Sequence, residues 1–408
     1  MFWDFYIYLA GIAIVLQVLF LIQSYRNYRY AIKKALGKKR SRSCPQTLLT
    51  VPCKGIDNDF DRNIEAFFKL DHENYTLHLV VQEDDDPAYA RLRAIVDRCG
   101  DASNAKDIKI LIAGIADGCS QKIHNLLYSC RNAPEGTEIF AFADADAYVT
   151  EGWLKNLIHP LRQEKYGATT GYRWFIPPTN NLASFALSSL NAKVAQLLGN
   201  SHFNQAWGGS MAIRTETFHR IGLDKAWQNA ISDDLCLSHM VKKAKMIIAF
   251  VPACLVASYE STTWTKLFEF ARRQFLITRI STPCTWWFGL FSSAFSLFGS
   301  WGSLVIAVIA TATAEPPLIL YTAVPISFFV CQTMRAIIRQ RMIVRLLPND
   351  AKNMKPAIIA DILGASFWPW LMFICILSSA FGRKITWRGT TYKLIGPTQT
   401  EIIKKTGE

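Results

Sequence analysis

Residues 5–22 read FYIYLAGIAIVLQVLFLI, a run of eighteen in which Gln17 is the only strongly polar side chain. At about 1.5 Å of rise per residue, a helix of this length just spans the hydrocarbon core of a bilayer. A cleaved signal peptide would carry basic residues before the run and a small-x-small site after it. Here the positive charge follows, at Lys33, Lys34, Lys38, Lys39, Arg40 and Arg42. That order points to a membrane anchor, residues 1–25, whose C-terminal side faces the cytoplasm through a basic linker, 26–45.

Three further apolar segments, 286–313, 317–334 and 357–381, lie towards the other end. The formal charge of the 408-residue chain is +13, and much of the excess flanks these segments. Arg335, Arg339, Arg341 and Arg345 follow one of them; Arg383, Lys384, Arg388 and Lys393 follow the last. Basic flanks of this kind attract anionic lipid headgroups. Nucleic acid is excluded as a partner, because the globular part has no basic helix or aromatic-interleaved RNA motif. Three full crossings would place the two basic flanks on opposite sides, yet both favour the cytoplasm. A re-entrant or broken hairpin at 357–381, within a membrane region of 286–382, removes the conflict, and Asp361 and Pro369 suit it. Residues 383–408 are then a basic cytoplasmic tail. The ten cysteines form no CxxC and no His–Cys cluster, which fits a reduced compartment without structural zinc.

Between these ends, residues 46–262 have globular composition. TLLTVP, YTLHLVV, IKILIAG and EIFAFA read as strands, with amphipathic helices between them. Alternation of this kind predicts an α/β domain with a mostly parallel sheet covered on both faces. Ligands of such sheets bind beyond the carboxyl ends of the strands. Both acidic clusters, 83–86 and 144–146, fall there.

Asp144-Ala145-Asp146 is an acid-x-acid pattern at the end of an apolar strand. Strand alternation would put both side chains on one face, where two carboxylates can hold one hard divalent cation. SDDL, 232–235, opens an amphipathic helix; one acid can cap the helix while the other faces the cleft as a general base. The paired glycines of WGGSMAIR, Gly208 and Gly209, fit either an ordinary turn or a close backbone approach to a ligand. EFARRQFLITRI, inside residues 263–285, reads as an amphipathic interfacial helix. Its arginines serve either lipid headgroups or a diphosphate.

Taken in order, PCKGIDNDFDRNIEAFFKLDHENY, VVQEDDDPA, QKIHNL, FADADAYV, WGGSMAIR, ISDDL and WRGTTYKL resemble the ceramide glucosyltransferases and their bacterial relatives, within the family-2 type of inverting glycosyltransferases. The resemblance implies a GT-A fold, the Rossmann-like architecture of nucleotide-diphospho-sugar transferases. It implies nucleotide-sugar contacts at Glu83, Asp86, Lys122, Asp144, Gly209, Asp233, Arg273 and Gln274. It further implies Mg²⁺ or Mn²⁺ at Asp144 and Asp146, and Asp234 as the catalytic base, with Asp233 where a glutamate is usual. The donor expected is UDP-glucose and the acceptor a membrane lipid, ceramide foremost, giving a β-linked glycolipid. The catalytic domain would face the cytoplasm, at the inner membrane of a bacterium or the Golgi or ER of a eukaryote. One motif departs from the pattern. The family closes its catalytic set with Gln or Arg, two variable residues, then Arg-Trp; here Leu276 and Ile277 stand where Arg-Trp is expected. Arg279 is a candidate for the missing charge. Diacylglycerol or a hopanoid remains an alternative acceptor. A processive polysaccharide synthase would need more spans and the absent clamp, and a silent nucleotide-binding scaffold would not need all three aspartates.

Overall fold

In the computed structural model, residues 2–37, 44–57, 59–313, 318–387 and 389–404 are described. Lys38, Lys39, Arg40, Arg42 and Arg388 lie outside them. The N-terminal helix α1 (Phe2–Leu36) leads into an alternating region: β1 (Thr47–Pro52), α2 (Phe60–Phe68), β2 (Tyr75–Val81), α3 (Pro87–Cys99), β3 (Asp107–Ile112), α4 (Gln121–Arg131) and β4 (Ile139–Ala143). Then come α5 (Trp153–Ile158), β5 (Tyr166–Ile176), α6 (Leu182–Ala195), β6 (Ser210–Arg214), α7 (Thr215–Arg220), α8 (Leu223–Trp227), α9 (Asp233–Lys243) and β7 (Ile247–Tyr259). The remaining helices are α10 (Trp264–Ser281), α11 (Pro283–Leu297), α12 (Ser303–Ala312), α13 (Leu318–Leu346), α14 (Lys355–Leu363) and α15 (Trp368–Ser378). Strands β8 (Lys384–Trp387), β9 (Thr390–Gly396) and β10 (Gln399–Lys404) end the chain.

One seven-stranded sheet runs β3-β2-β1-β4-β6-β5-β7, with β6 antiparallel to both of its neighbours and the other pairings parallel. This is the mostly parallel α/β sheet expected of a GT-A fold. Central strands β1, β2 and β4 are buried on both faces, which is why they read as continuous apolar runs. Their alternation still sorts side chains into two cores: Leu49, Val51 and Ala141 pack with Phe67 and Trp153, while Leu48, Phe140 and Phe142 pack with Ile123 and Trp227. Edge strand β3 carries Asp107 and Lys109, which pair at 3.4 Å and discourage strand addition.

His78 on β2 is fully buried, its Nδ1 2.9 Å from Ser129 Oγ, which in turn shares a hydrogen bond with Thr50. Burial pushes its pKa down to about 4. Because that lies below the unfolded value, stability is complete above about pH 6.5 and is lost as pH falls towards 4. The loss is expected to reach about 3 kcal/mol for this residue. Chemical denaturation at pH 7 and pH 5 measures it, and a His78→Gln protein should show a flatter profile. A variant with the same pH slope as the parent would contradict the assignment.

Three helical stretches are long and apolar enough to cross a membrane: Phe5–Leu36, Pro283–Ala312 and Tyr321–Leu346. Helices α14 and α15, within the segment expected to be re-entrant, are bent by 85° about a short break. Helices α1 and α13 run side by side in the same direction, because Tyr6 meets Tyr321, Phe20 meets Arg335 and Tyr28 meets Arg345. The globular part is tied to this bundle through α1, where Asn27 Nδ2 donates to Gln196 O at 3.0 Å and Tyr30 OH to Phe250 O at 2.9 Å. The segment expected as a tail instead folds as the antiparallel sheet β10-β9-β8. Its Ile385, Tyr392 and Leu394 pack on Ile231, Leu276 and Ile277, so Leu276 and Ile277 serve a core.

Candidate functional site

The carboxyl ends of β1, β2 and β4 open onto a shared cleft, and Asp86 ties two of their loops together. Its Oδ1 accepts from Gly55 N after β1 at 2.8 Å and from Ala88 N at 2.9 Å, the second bond capping α3. Glu83, in the same loop, accepts a hydrogen bond from the neighbouring Gln82; the exposed Asp84 and Asp85 separate it from Asp86.

After Ala143 the chain turns rather than extending, with Ala147 N donating to Asp144 O at 3.1 Å. The expectation that strand alternation aligns Asp144 with Asp146 is therefore corrected: a turn sets their positions. Asp144 Oδ1 lies 2.6 Å from Lys122 Nζ, and the same ammonium lies 3.0 Å from Asp233 Oδ2 without hydrogen-bond geometry. Lys122 thus joins the β4 turn to the start of α9. Burial works against its charge, but Asp144, Asp233 and Asp234 outweigh it and hold the ammonium above the ordinary lysine value. Burial, opposed by Lys122 and reinforced by Asp234 and Asp144, raises Asp233 to about 6.

Ser232 caps α9, accepting from Leu235 N at 3.2 Å. Asp234, one residue into the helix, is held from three directions. Ser232 Oγ and Leu235 N, the latter at 2.7 Å, donate to Oδ1, and Gly208 N donates to Oδ2 at 3.0 Å. Asp233 is buried against Lys122, whereas Asp234 stays partly exposed to the cleft. The two acids have separate positions, and the cap itself is a serine.

The glycine pair has a steric cause. A Cβ on Gly208 would stand 2.2 Å from Asp233 Oδ2 and 2.7 Å from Lys122 Nζ. A Cβ on Gly209 would strike the Trp207 ring. Gly208, not Gly209, therefore borders the charged groups, and Gly209 is buried behind the indole.

Asp146 is open to solvent, yet the crowding of the cleft and the Asp144 carboxylate raise it to about 6, against the pull of Arg173 and Lys122. Two neighbouring carboxylates suit a divalent cation. Among the described residues no group of three or more His, Cys, Asp or Glu is arranged to hold a metal. A cation held by Asp144 and Asp146 would complete its shell with ligand oxygens.

Arg173 went unnoticed in the sequence. It follows a break in the β5–β7 register, where Thr170 faces Phe250 but Tyr172 faces Leu255, a bulge that re-aims the strand. Its guanidinium lies 4.5 Å from the Phe175 ring, 5.7 Å from Trp207 and 5.5 Å from Phe270 of α10. The available signal was a cation inside the apolar stretch TGYRWFI. On α10, Arg273 also lies over Phe270, at 5.7 Å, and Gln274 is exposed. Arg279 does not supply the missing charge to the cleft, because its guanidinium donates to Gly382 O after α15.

The architecture is similar to solved glycosyltransferases. A mannosyltransferase from Pyrobaculum calidifontis, in complex with GDP-Man and Mn2+, aligns over 91% of this chain and 97% of its own, with 13% identity and a TM-score of 0.44. GalNAc-T7 with UDP, GalNAc and Mn2+ aligns over 58% of this chain and 51% of its own, at 12% identity and a TM-score of 0.39. Glucosyl-3-phosphoglycerate synthase from Mycobacterium tuberculosis aligns over 56% and 76%, at 12% identity and a TM-score of 0.35. In sequence, residues 9–399 match the profile of glycosyl transferase family 21. With nearly the whole chain inside that match, the protein belongs to glycosyl transferase family 21, a family of sugar-transferring enzymes.

Proposed function

We propose that the protein moves a hexose, glucose from UDP-glucose, onto the hydroxyl of a membrane lipid, with ceramide as the acceptor and inversion at the anomeric carbon. The observation that carries this reading is the separation of acids around Lys122. Lys122 pairs with Asp144 of the β4 turn and with Asp233 of α9, and the partly exposed Asp234 beside Asp233 is fixed by Gly208 N and Leu235 N. Asp234 takes the proton of the acceptor hydroxyl as its oxygen bonds to the anomeric carbon. The bond from that carbon to the diphosphate oxygen breaks, and UDP leaves with the electron pair. Attack from the face opposite the leaving group converts an α-linked donor into a β-linked product. Asp144 and Asp146 would hold Mg²⁺ or Mn²⁺, which when bound offsets charge on the departing diphosphate. Asp86 with Glu83 lines the nucleotide end, and Lys122 keeps Asp144 and Asp233 in register. The apolar helices let a two-chain lipid present its hydroxyl without leaving the bilayer, and they support a multi-pass protein with its active site at the cytoplasmic surface.

Arg173 would face the diphosphate, its orientation fixed by three aromatic rings. Arg173→Ala is expected to weaken UDP binding about 10- to 100-fold, the worth of a charged hydrogen bond, and Arg173→Lys to recover part of it. Calorimetric titration with UDP measures this, and an unchanged affinity would remove Arg173 from the site. Gly208→Ala pushes a methyl into Asp233 and Lys122 and displaces Asp234. A fall of about 100-fold in kcat/KM is expected, carried by slower turnover as well as a higher donor KM. Parental turnover in that variant would mean the backbone contact is not part of the machinery.

Incubating the detergent-purified protein with tritiated UDP-sugars tests the function. Ceramide, diacylglycerol and hopanoid acceptors are compared with and without Mn²⁺. Label extracted into organic solvent with ceramide is the expected result. Label in long water-soluble chains would favour a polymer synthase, and nucleotide binding without transfer to any acceptor would contradict the reading.

A further inference from the structure

Where α6 of the globular part meets α1 and α13, the charges do not balance. Arg339 is buried and satisfied: Nε and Nη2 each lie 2.6 Å from an oxygen of Asp361, and Nη1 lies 3.1 Å from Gln196 Oε1. Gln340 donates to Asp361 as well, at 2.6 Å, so both oxygens of this carboxylate are already engaged. Two more cations share the seam. Arg335, one turn before Arg339, has its Nε buried without a hydrogen-bond partner and its guanidinium 5.5 Å from the Phe20 ring. Lys193, one turn before Gln196 on α6, makes no hydrogen bond or ion pair with any described residue. Burial, Arg339 and Arg335 hold its ammonium well below the ordinary lysine value, with Asp361 opposing them. Three basic side chains therefore share one carboxylate, and a bound anion would favour the charged form of Lys193. Lys193 and Arg335 are each only partly buried as whole residues, so the seam lies near the surface of the protein.

We propose that Arg335 and Lys193 bind the phosphate of an anionic phospholipid in the seam between α1, α6 and α13. A guanidinium and an ammonium together match a phosphate monoanion in charge and in donors. Basic pockets between membrane helices at the level of the headgroups take such lipids. A zwitterionic lipid would bring its own cation against three others, so phosphatidylglycerol is favoured over phosphatidylcholine. The proposal rests on α1 and α13 crossing the membrane and stands independently of the sugar and acceptor chosen above.

Native mass spectrometry of the full-length protein, released from micelles containing equal phosphatidylglycerol and phosphatidylcholine, provides the test. One phosphatidylglycerol retained in preference is the expected result. Arg335→Gln and Lys193→Gln should each lower its retention about tenfold. Lys193→Gln breaks no bond within the protein, so it decides the matter if Arg335→Gln fails to fold. Equal retention of both lipids, or retention of phosphatidylglycerol unchanged in Lys193→Gln, would overturn the proposal. Inorganic phosphate displacing the lipid at equal concentration would also overturn it, by making the seam a site for free phosphate.

Discussion

Asp234→Asn is expected to lower kcat for sugar transfer by about 10³-fold while leaving the fold and UDP affinity near parental values. The amide keeps the shape of the carboxylate, and its oxygen still accepts from Gly208 N or from Leu235 N. What it loses is the capacity to take a proton. Asp233→Asn is expected to act differently, since Asp233 is buried and faces Lys122 rather than the open cleft. Removing its charge leaves Asp144 as the one close ion pair of Lys122 among the described residues, and should appear first in donor KM. Single-turnover kinetics on both variants, with melting curves as the control for folding, separate the two. An active Asp234→Asn beside a dead Asp233→Asn would assign the base to the other acid.

The second large effect lies far from the cleft. Asp361→Asn leaves Arg339 buried without its counter-charge and is expected to cost about 3–5 kcal/mol. Arg339 also binds Gln196, which follows α6, so the loss should loosen the globular part from the bundle. A fall in melting temperature of the detergent-solubilised protein measures it. Replacing both partners, Arg339→Met with Asp361→Leu, is expected to restore part of the stability, because the unpaired charge is gone while the buried Gln196 and Gln340 amides each lose a partner. A single variant within about 1 kcal/mol of the parent would show that the pair is not buried as described.

Much of the fold was legible because its signals are local. Continuous apolar strands such as IFAFA, amphipathic helices between them and an eighteen-residue apolar run each constrain a short window. The acids were legible for the same reason, since each follows directly from a strand end or a helix start. What escaped was set by contacts between distant windows. Lys122 joins Asp144 and Asp233 only because β4 and β6 bring the β4 turn beside α9. Arg173 comes to lie among Phe175, Trp207 and Phe270 only after the β5–β7 bulge, which no local pattern announces. Asp361 was read as a sign of a broken membrane segment; its partner Arg339 belongs to a different helix. The final basic stretch was expected as a tail because its charges are dense, yet Ile385, Tyr392 and Leu394 alternate onto one face and give the small sheet a core. Leu276 and Ile277, the departure from the family's motif, pack beneath that sheet.

The central claim is a single displacement in which Asp234 deprotonates a lipid hydroxyl on the face opposite the diphosphate. The configuration of the anomeric proton in the purified product, read from its NMR coupling constant, tests it most directly. A β-glycolipid formed from an α-linked UDP-sugar is the result this account requires. An α-linked product would mean that configuration is retained, and a one-step inversion with Asp234 as base would be wrong.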